Sequence, residues 1–271
     1  MVSAGTVHPD KASVADSFSR AASTYDLHAR HHEVIASILA GLFAGLPQPG
    51  KILEIGCGTG IMTGKILRAF PGIAVHALDI SPGMIEACRS KFRGNRALSV
   101  MPGDAEEYLE KSPGYDMVVS SCSFQWLHDT GKIARRVANS LVSGGSVVLA
   151  VPVEGTLFEL AESFRTGAGR IICSLEMDTG ETWMKRFVEA GFDVVEAFTR
   201  KVTVSFPDPI DVLKSVRGIG ASLGREGSGI GPHEVAAMRR YYRNVFSSPR
   251  GGGVDSSYRV FFISCITGRN R

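Results

Sequence analysis

The stretch KILEIGCGTG, residues 51–60, decides the fold. Its first five residues are short, apolar and followed by glycines, as a buried parallel strand is. Gly56, Gly58 and Gly60 fall as G-x-G-x-G. A dinucleotide fingerprint would place the third glycine one position later, where this chain has Ile61, so a pyrophosphate ligand is disfavoured. Three close glycines still let a ligand lie against the backbone, and the helix that follows offers free N–H groups to a carboxylate. A small zwitterion suits such a turn, with Glu54 as an acceptor for an ammonium. Met62, Ile66 and Phe70 then repeat at fours and predict that helix.

The β-turn-α unit recurs outward from this point. Strands are expected at residues 74–78, 97–101, 117–120 and 147–151, with helices from Pro82, near Tyr108 and through Ile133 and Val137. Repeated alternation means a parallel sheet covered by helices on both faces. Two helical patterns precede it: Val14, Phe18, Ala21, Ala22 and Tyr25, then Ile35, Ile38, Leu39, Leu42, Phe43 and Leu46. After it come helical stretches at 157–164 and 183–190, a β-like run at 194–206, helices at 210–216 and 234–246, a glycine-rich loop and a last strand at 258–266.

The chain has 271 residues, 44% of them hydrophobic and 21% charged, which suits one α/β domain with an insertion and excludes wholesale disorder. No apolar run approaches the ~20 residues of a membrane span, and the first fifteen residues contain no apolar signal core. Five scattered cysteines without a C-x-x-C pair argue for reduced thiols in a cytoplasm rather than disulfides or zinc. The net charge of +3 is regional: residues 199–250 hold 9 Lys and Arg against 4 Asp and Glu, whereas residues 1–130 hold 11 against 13. A basic segment on a near-neutral core implies an anionic partner, or simply a solvated face.

Nineteen residues beyond Gly60 the second strand reaches Asp79, where a carboxylate can accept both hydroxyls of a ribose. The third ends in Gly103, Asp104 and Ala105, an acid placed for the exocyclic amine of adenine. Glycines after a strand are often only tight turns, and a single Asp there is often a helix cap. Three such coincidences at neighbouring strand ends converge on one crevice, and amino acid, ribose and adenine are the parts of S-adenosylmethionine. These positions resemble the class I S-adenosylmethionine-dependent methyltransferases. Asp79→Ala is expected to weaken cofactor binding and leave the fold intact.

A finer resemblance covers nearly the whole chain. FSRAASTYDLHA (18–29), ILEIGCGTG (52–60), SFQWLHD (123–129), the Gly144-Gly145 turn and PIDVLKSVRGIGAS (209–222) look like the malonyl-[acyl-carrier-protein] O-methyltransferases of biotin synthesis. The resemblance implies methylation of the free carboxylate of a malonyl thioester, on acyl-carrier protein or coenzyme A. It implies a cofactor wall of Glu54, Gly56, Cys57, Gly58, Gly60, Asp79, Ile80, Met84, Asp104, Ala105 and Ser121. Its catalytic set would be Tyr25, Gln125, Lys214 and Arg217. Two departures stand out: Ser121 replaces the family's usual asparagine, and His32 its usual glutamine, which would make an amide contact titratable.

A carboxylate is already ionised at neutral pH, so its attack on a sulfonium methyl needs no general base. What remains is positioning and exclusion of water, which a lid would supply. Tyr25 is either a core tyrosine or a phenol over the cofactor; Trp126, beside Gln125, is either core or a neighbour of the methyl. Lys214 and Arg217 share a helix face and would meet the malonyl carboxylate, the phosphopantetheine or only solvent. Arg239, Arg240 and Arg243, with Lys214, Arg217 and Arg225, form a plausible dock for an acidic carrier protein. The segment lacks the aromatic interleaving of single-strand nucleic-acid binding. His28, His31 and His32 lack metal-site spacing and read as surface or lid residues, and no metal is expected.

The expected architecture is therefore an α/β, Rossmann-like seven-stranded sheet of the class I methyltransferase type. Residues 1–48 form an N-terminal helical lid, 49–206 the cofactor-binding core, 207–257 a basic helical lid insertion and 258–271 the last strand.

Overall fold

The computed structural model of the chain describes residues 10–111, 113–172, 177–221, 229–249 and 251–268. Three helices come first: α1 (Lys11–Ala21), capped by the Asp10 carboxylate, α2 (Tyr25–His28) and α3 (Arg30–Gly41). An alternating series follows: β1 (Lys51–Ile55), α4 (Ile61–Ala69), β2 (Ala74–Asp79), α5 (Pro82–Lys91), β3 (Leu98–Pro102), α6 (Ala105–Lys111), β4 (Tyr115–Ser121), α7 (Thr130–Ser140) and β5 (Leu141–Pro152). Then come α8 (Phe158–Glu162), α9 (Gly180–Glu189), β6 (Phe192–Phe206), α10 (Pro209–Gly218), α11 (Pro232–Val245) and β7 (Val254–Thr267).

The seven strands form one sheet in the order β3-β2-β1-β4-β5-β7-β6. β1 to β5 pair in parallel, whereas β7 runs antiparallel to both β5 and β6. The order reverses between β1 and β4, which opens a crevice at their carboxyl ends. Alternation along β1 divides the core: Leu53 and Ile55 join Tyr115, Phe124, Trp183 and Phe187 on one face, while Ile52 joins Ile35, Leu39, Met62 and Phe262 on the other. A third cluster, including Phe164, Phe206, Val212, Met238 and Tyr242, binds α8, α10 and α11 to the ends of β6 and β7.

Several boundaries differ from expectation, β5 starting at Leu141 rather than 147 among them, and two have a clear local cause. The stripe from Val14 to Tyr25 is not one helix: the chain turns after Ala21, whose carbonyl accepts both the N–H and the hydroxyl of Thr24, and Tyr25 opens a new helix. Local side-chain bonding of this kind competes with helix continuation. The last strand begins at Val254 rather than 258, because the two serines that read as loop are buried in the ladder and Ser257 bonds Glu159. Among the described residues, no helix is long and apolar enough to cross a membrane.

Candidate functional site

The glycine turn leaves β1 with left-handed backbone at Gly56, Gly58 and Gly60 (φ +70°, +53° and +90°). Two of these glycines are also fixed by close approach: a Cβ on Gly56 would stand 2.2 Å from Ser123 Oγ, and one on Gly60 2.5 Å from the Phe92 ring. At Gly58 a Cβ would meet nothing within 4 Å, so the backbone there faces open space. The N–H groups of Gly56 and Cys57 both donate to the Leu78 carbonyl, which ties the turn to β2. Above it lies an open cleft, enclosing roughly 780 Å³ when its mouth is included.

Of the residues expected around a cofactor, Gly56, Gly58, Asp79, Ile80, Met84, Asp104, Ala105 and Ser121 line this cleft together with Tyr25. Asp79 accepts the N–H of Gly58 through one oxygen and that of Ser81 through the other, both at 2.8 Å. Burial raises its pKa, against the lowering effect of those N–H groups. It therefore holds the turn as well as facing the cleft, so its removal is not neutral for the fold. Asp104 accepts the N–H of Glu106 and, at 2.5 Å, the ammonium of Lys11 from α1.

A smaller hollow beside the cleft shares Tyr25, Gly56, Gly58 and Ser121, and adds His32, Cys57, Thr59 and the start of α4. Burial pushes the Tyr25 phenol well above its ordinary pKa, and the Cys122 thiol up to about 12. His31 is 3% exposed, bonds the Ser256 carbonyl and stacks on Tyr258 at 4.3 Å, so it is a core residue rather than a surface one. Burial takes His31 down to about 4 and His32 to about 3. His32 is consequently neutral at physiological pH, which corrects the expectation of a titratable contact.

Several expected residues stand elsewhere. Glu54 turns away from the cleft and accepts the Thr63 hydroxyl at 2.6 Å; burial raises its pKa well above the carboxylate norm. Gly60 closes the turn against α5, outside both hollows. Gln125 lies in a short 3-10 helix, donates to the Cys122 carbonyl and does not line the cleft; its neighbour Trp126 does, with the Phe18 ring edge-on at 5.4 Å. Lys214 and Arg217 are exposed on α10, Lys214 pairing with Asp211, and neither lines the cleft. Arg239 and Arg243 both bind Asp208, the cap of α10, while Arg240 is exposed; Arg225 lies outside the described residues. Lys11, Val14 and Ser123 line the cleft without having been singled out. The stripe through Val14 and Phe18 signals a buried helix face, but nothing in it says what the face covers.

Residues 53–147 match a methyltransferase domain family. Malonyl-[acyl-carrier protein] O-methyltransferase 1 of Ilyobacter polytropus is 30% identical, over 88% of this chain and 88% of its own length. The enzyme of the same name from Hahella chejuensis is 31% identical, over 93% and 88%. Among solved structures, the YcgJ protein of Bacillus subtilis has a TM-score of 0.58 at 13% identity, covering 86% of this chain and 99% of its own. Phosphoethanolamine N-methyltransferase 2 of Haemonchus contortus, in complex with S-adenosyl-L-methionine, has 0.54 at 17%, covering 86% and 52%. At such identities these two speak for the fold alone. With relatives at 30–31% identity matching over about nine-tenths of both chains, the chain belongs to the malonyl-[acyl-carrier protein] O-methyltransferases, enzymes on the class I S-adenosylmethionine-dependent fold.

Proposed function

We propose that the protein transfers the methyl group of S-adenosylmethionine to the free carboxylate of a malonyl thioester on acyl-carrier protein, giving the methyl ester at an early, cytoplasmic step of biotin synthesis. Malonyl-coenzyme A is the alternative acceptor. The observation that carries the chemistry is the make-up of the cleft wall around Tyr25: Ser121, Cys122, Ser123 and Trp126 line the same cleft, and neither the phenol nor the thiol gives up its proton near neutral pH. Such a site suits an acceptor that is already an anion.

The residues fit the cofactor. Gly58 leaves space where a side chain would stand, and the Asp79 carboxylate, which takes backbone N–H groups at both oxygens, still lines the cleft. Asp79 would hold the ribose hydroxyls, Asp104 the adenine amine, and the N–H groups of the turn and α4 the carboxylate. Bound there, the cofactor supplies an electrophilic methyl on a sulfonium. Tyr25, kept as a phenol, is a donor that orients the acceptor. Phe18, Val14 and Trp126 make the wall apolar, and charge neutralisation between an anion and a sulfonium is favoured where water is scarce. Lys214 and Arg217 stay outside the cleft, so the malonyl charge is met by the sulfonium itself; we assign these two and Arg240 to the carrier protein. The N-terminal helices with α10 and α11 act as the lid.

Turnover with malonyl-carrier protein, malonyl-coenzyme A and free malonate in parallel tests the reading. Carrier-bound malonyl is expected to react fastest. Preference for free malonate would overturn the substrate, and cofactor binding without turnover on any of the three would overturn the activity.

A further inference from the structure

Lys11 is the first residue of α1, and its ammonium lies 2.5 Å from Asp104 Oδ2 and 2.5 Å from Glu106 Oε2. The lysine side chain is 31% exposed and the two acids 17% and 7%, so this is a part-buried, shared ion pair rather than a solvated one. The acids differ in their other partners. Glu106 also accepts the N–H groups of His128 and Asp129 and pairs with Arg136. The Asp104 carboxylate also accepts the Glu106 N–H at 2.8 Å and, among the described residues, is held by fewer partners than Glu106.

The opposite end of α1 is tied down separately. Ser19 Oγ meets Ser81 Oγ at 2.8 Å and accepts the Gly83 N–H, while Ser17 Oγ donates to the Gly220 carbonyl at 2.8 Å. Between the two ends, Val14 and Phe18 roof the cleft, Phe18 against Trp126. The helix thus has a fixed end on α5 and α10 and a charged clasp on the wall that carries Asp104.

We propose that Lys11 is the latch of this helix: it closes α1 over the adenosine end of the cleft and sets how long the cofactor stays bound. The proposal rests on the placement of adenosine along Asp79 and Asp104. Lys11 is a positioning residue, since it acts on the cofactor through α1 and Asp104. Escape of the ligand requires α1 to lift, and lifting separates the ammonium from two carboxylates at once. Association needs the same opening, because the clasp is formed with the cleft unloaded, so loss of the clasp speeds entry as well as escape; dissociation is the rate to be read.

The test is stopped-flow displacement of S-adenosylhomocysteine from the full-length protein, followed by tryptophan fluorescence in a Trp183→Phe background so that Trp126 alone reports. Lys11→Met keeps the length and loses the charge; it is expected to raise the dissociation rate about tenfold, which corresponds to about 1.4 kcal/mol. Lys11→Arg should restore most of the wild-type rate. Raising salt from about 0.05 to about 0.5 M should speed wild-type dissociation and leave Lys11→Met nearly flat. Dissociation unchanged in Lys11→Met, or equally salt-sensitive in both, would overturn the latch. Rates altered for S-adenosylhomocysteine but measured against an adenosine site proven elsewhere by Asp79 and Asp104 substitutions would instead overturn the placement on which it rests.

Discussion

Replacing Asp79 by alanine removes two functions of one side chain, and the structure allows each to be sized. Its oxygens accept the N–H groups of Gly58 and Ser81 at 2.8 Å. An orphaned donor costs about 1–3 kcal/mol when buried, so this part-buried pair is worth at most about 2–6 kcal/mol of stability. At about 2–4 °C per kcal/mol for a domain of this size, the melting temperature should fall by about 4–24 °C. The second function is recognition. Two hydrogen bonds from ribose hydroxyls to a carboxylate, at about 1.5–3 kcal/mol each, amount to at least a hundredfold in affinity. Calorimetric titration with S-adenosylmethionine, below the lowered melting point, separates the two. A variant that melts early but binds within threefold of wild type would refute the placement of the ribose and leave Asp79 as a clasp for the glycine turn.

Three other outcomes are expected. Gly56→Ala combines a left-handed backbone with a Cβ 2.2 Å from Ser123 Oγ, so it should lose cofactor binding and at least about 2 kcal/mol of stability, read by denaturant titration; wild-type stability would mean that Ser123 gives way freely. His32 sits at about 3 when folded against 6.5 unfolded; the unfolded chain takes up the proton first, so its contribution is full above pH 6.5 and lost progressively as pH falls towards 3. Between pH 7 and 5 the stability of His32→Gln should therefore gain about 2 kcal/mol relative to wild type, and parallel curves would contradict the buried, neutral ring. Reversing charge at Lys214, Arg217 and Arg240 together should raise KM for malonyl-carrier protein several-fold more than for malonyl-coenzyme A; equal effects on both would remove these residues from the carrier contact.

The glycine turn, the alternating strands and the two strand-end acids lining the cleft were readable because each is a local pattern: a strand needs a run of apolar residues, a left-handed turn needs glycine, and an acid at a strand end follows in register. The helix boundary at Ala21 was not, since apolar spacing continues through Tyr25 and only the bonds of Thr24 to Ala21 break it. The start of β7 was misread for a related reason. Its serines look like loop but bury against Glu159.

The basic residues mark the limit most clearly. Charge counting identified an excess in residues 199–250, yet Arg239 and Arg243 are occupied by Asp208 and only partners brought in by folding reveal that. Glu54 was likewise one residue from the turn in the chain and on the far side of the strand in space, because successive side chains of a strand face opposite ways. By itself the sequence determined the family, the order of the strands' elements and the crevice at the strand ends to which the methyl donor is assigned. Which side chains face that crevice, that Lys11 crosses to its far wall, and that His32 is stripped of its charge were decided by the tertiary structure, because burial and ion pairing depend on segments brought together from distant parts of the chain.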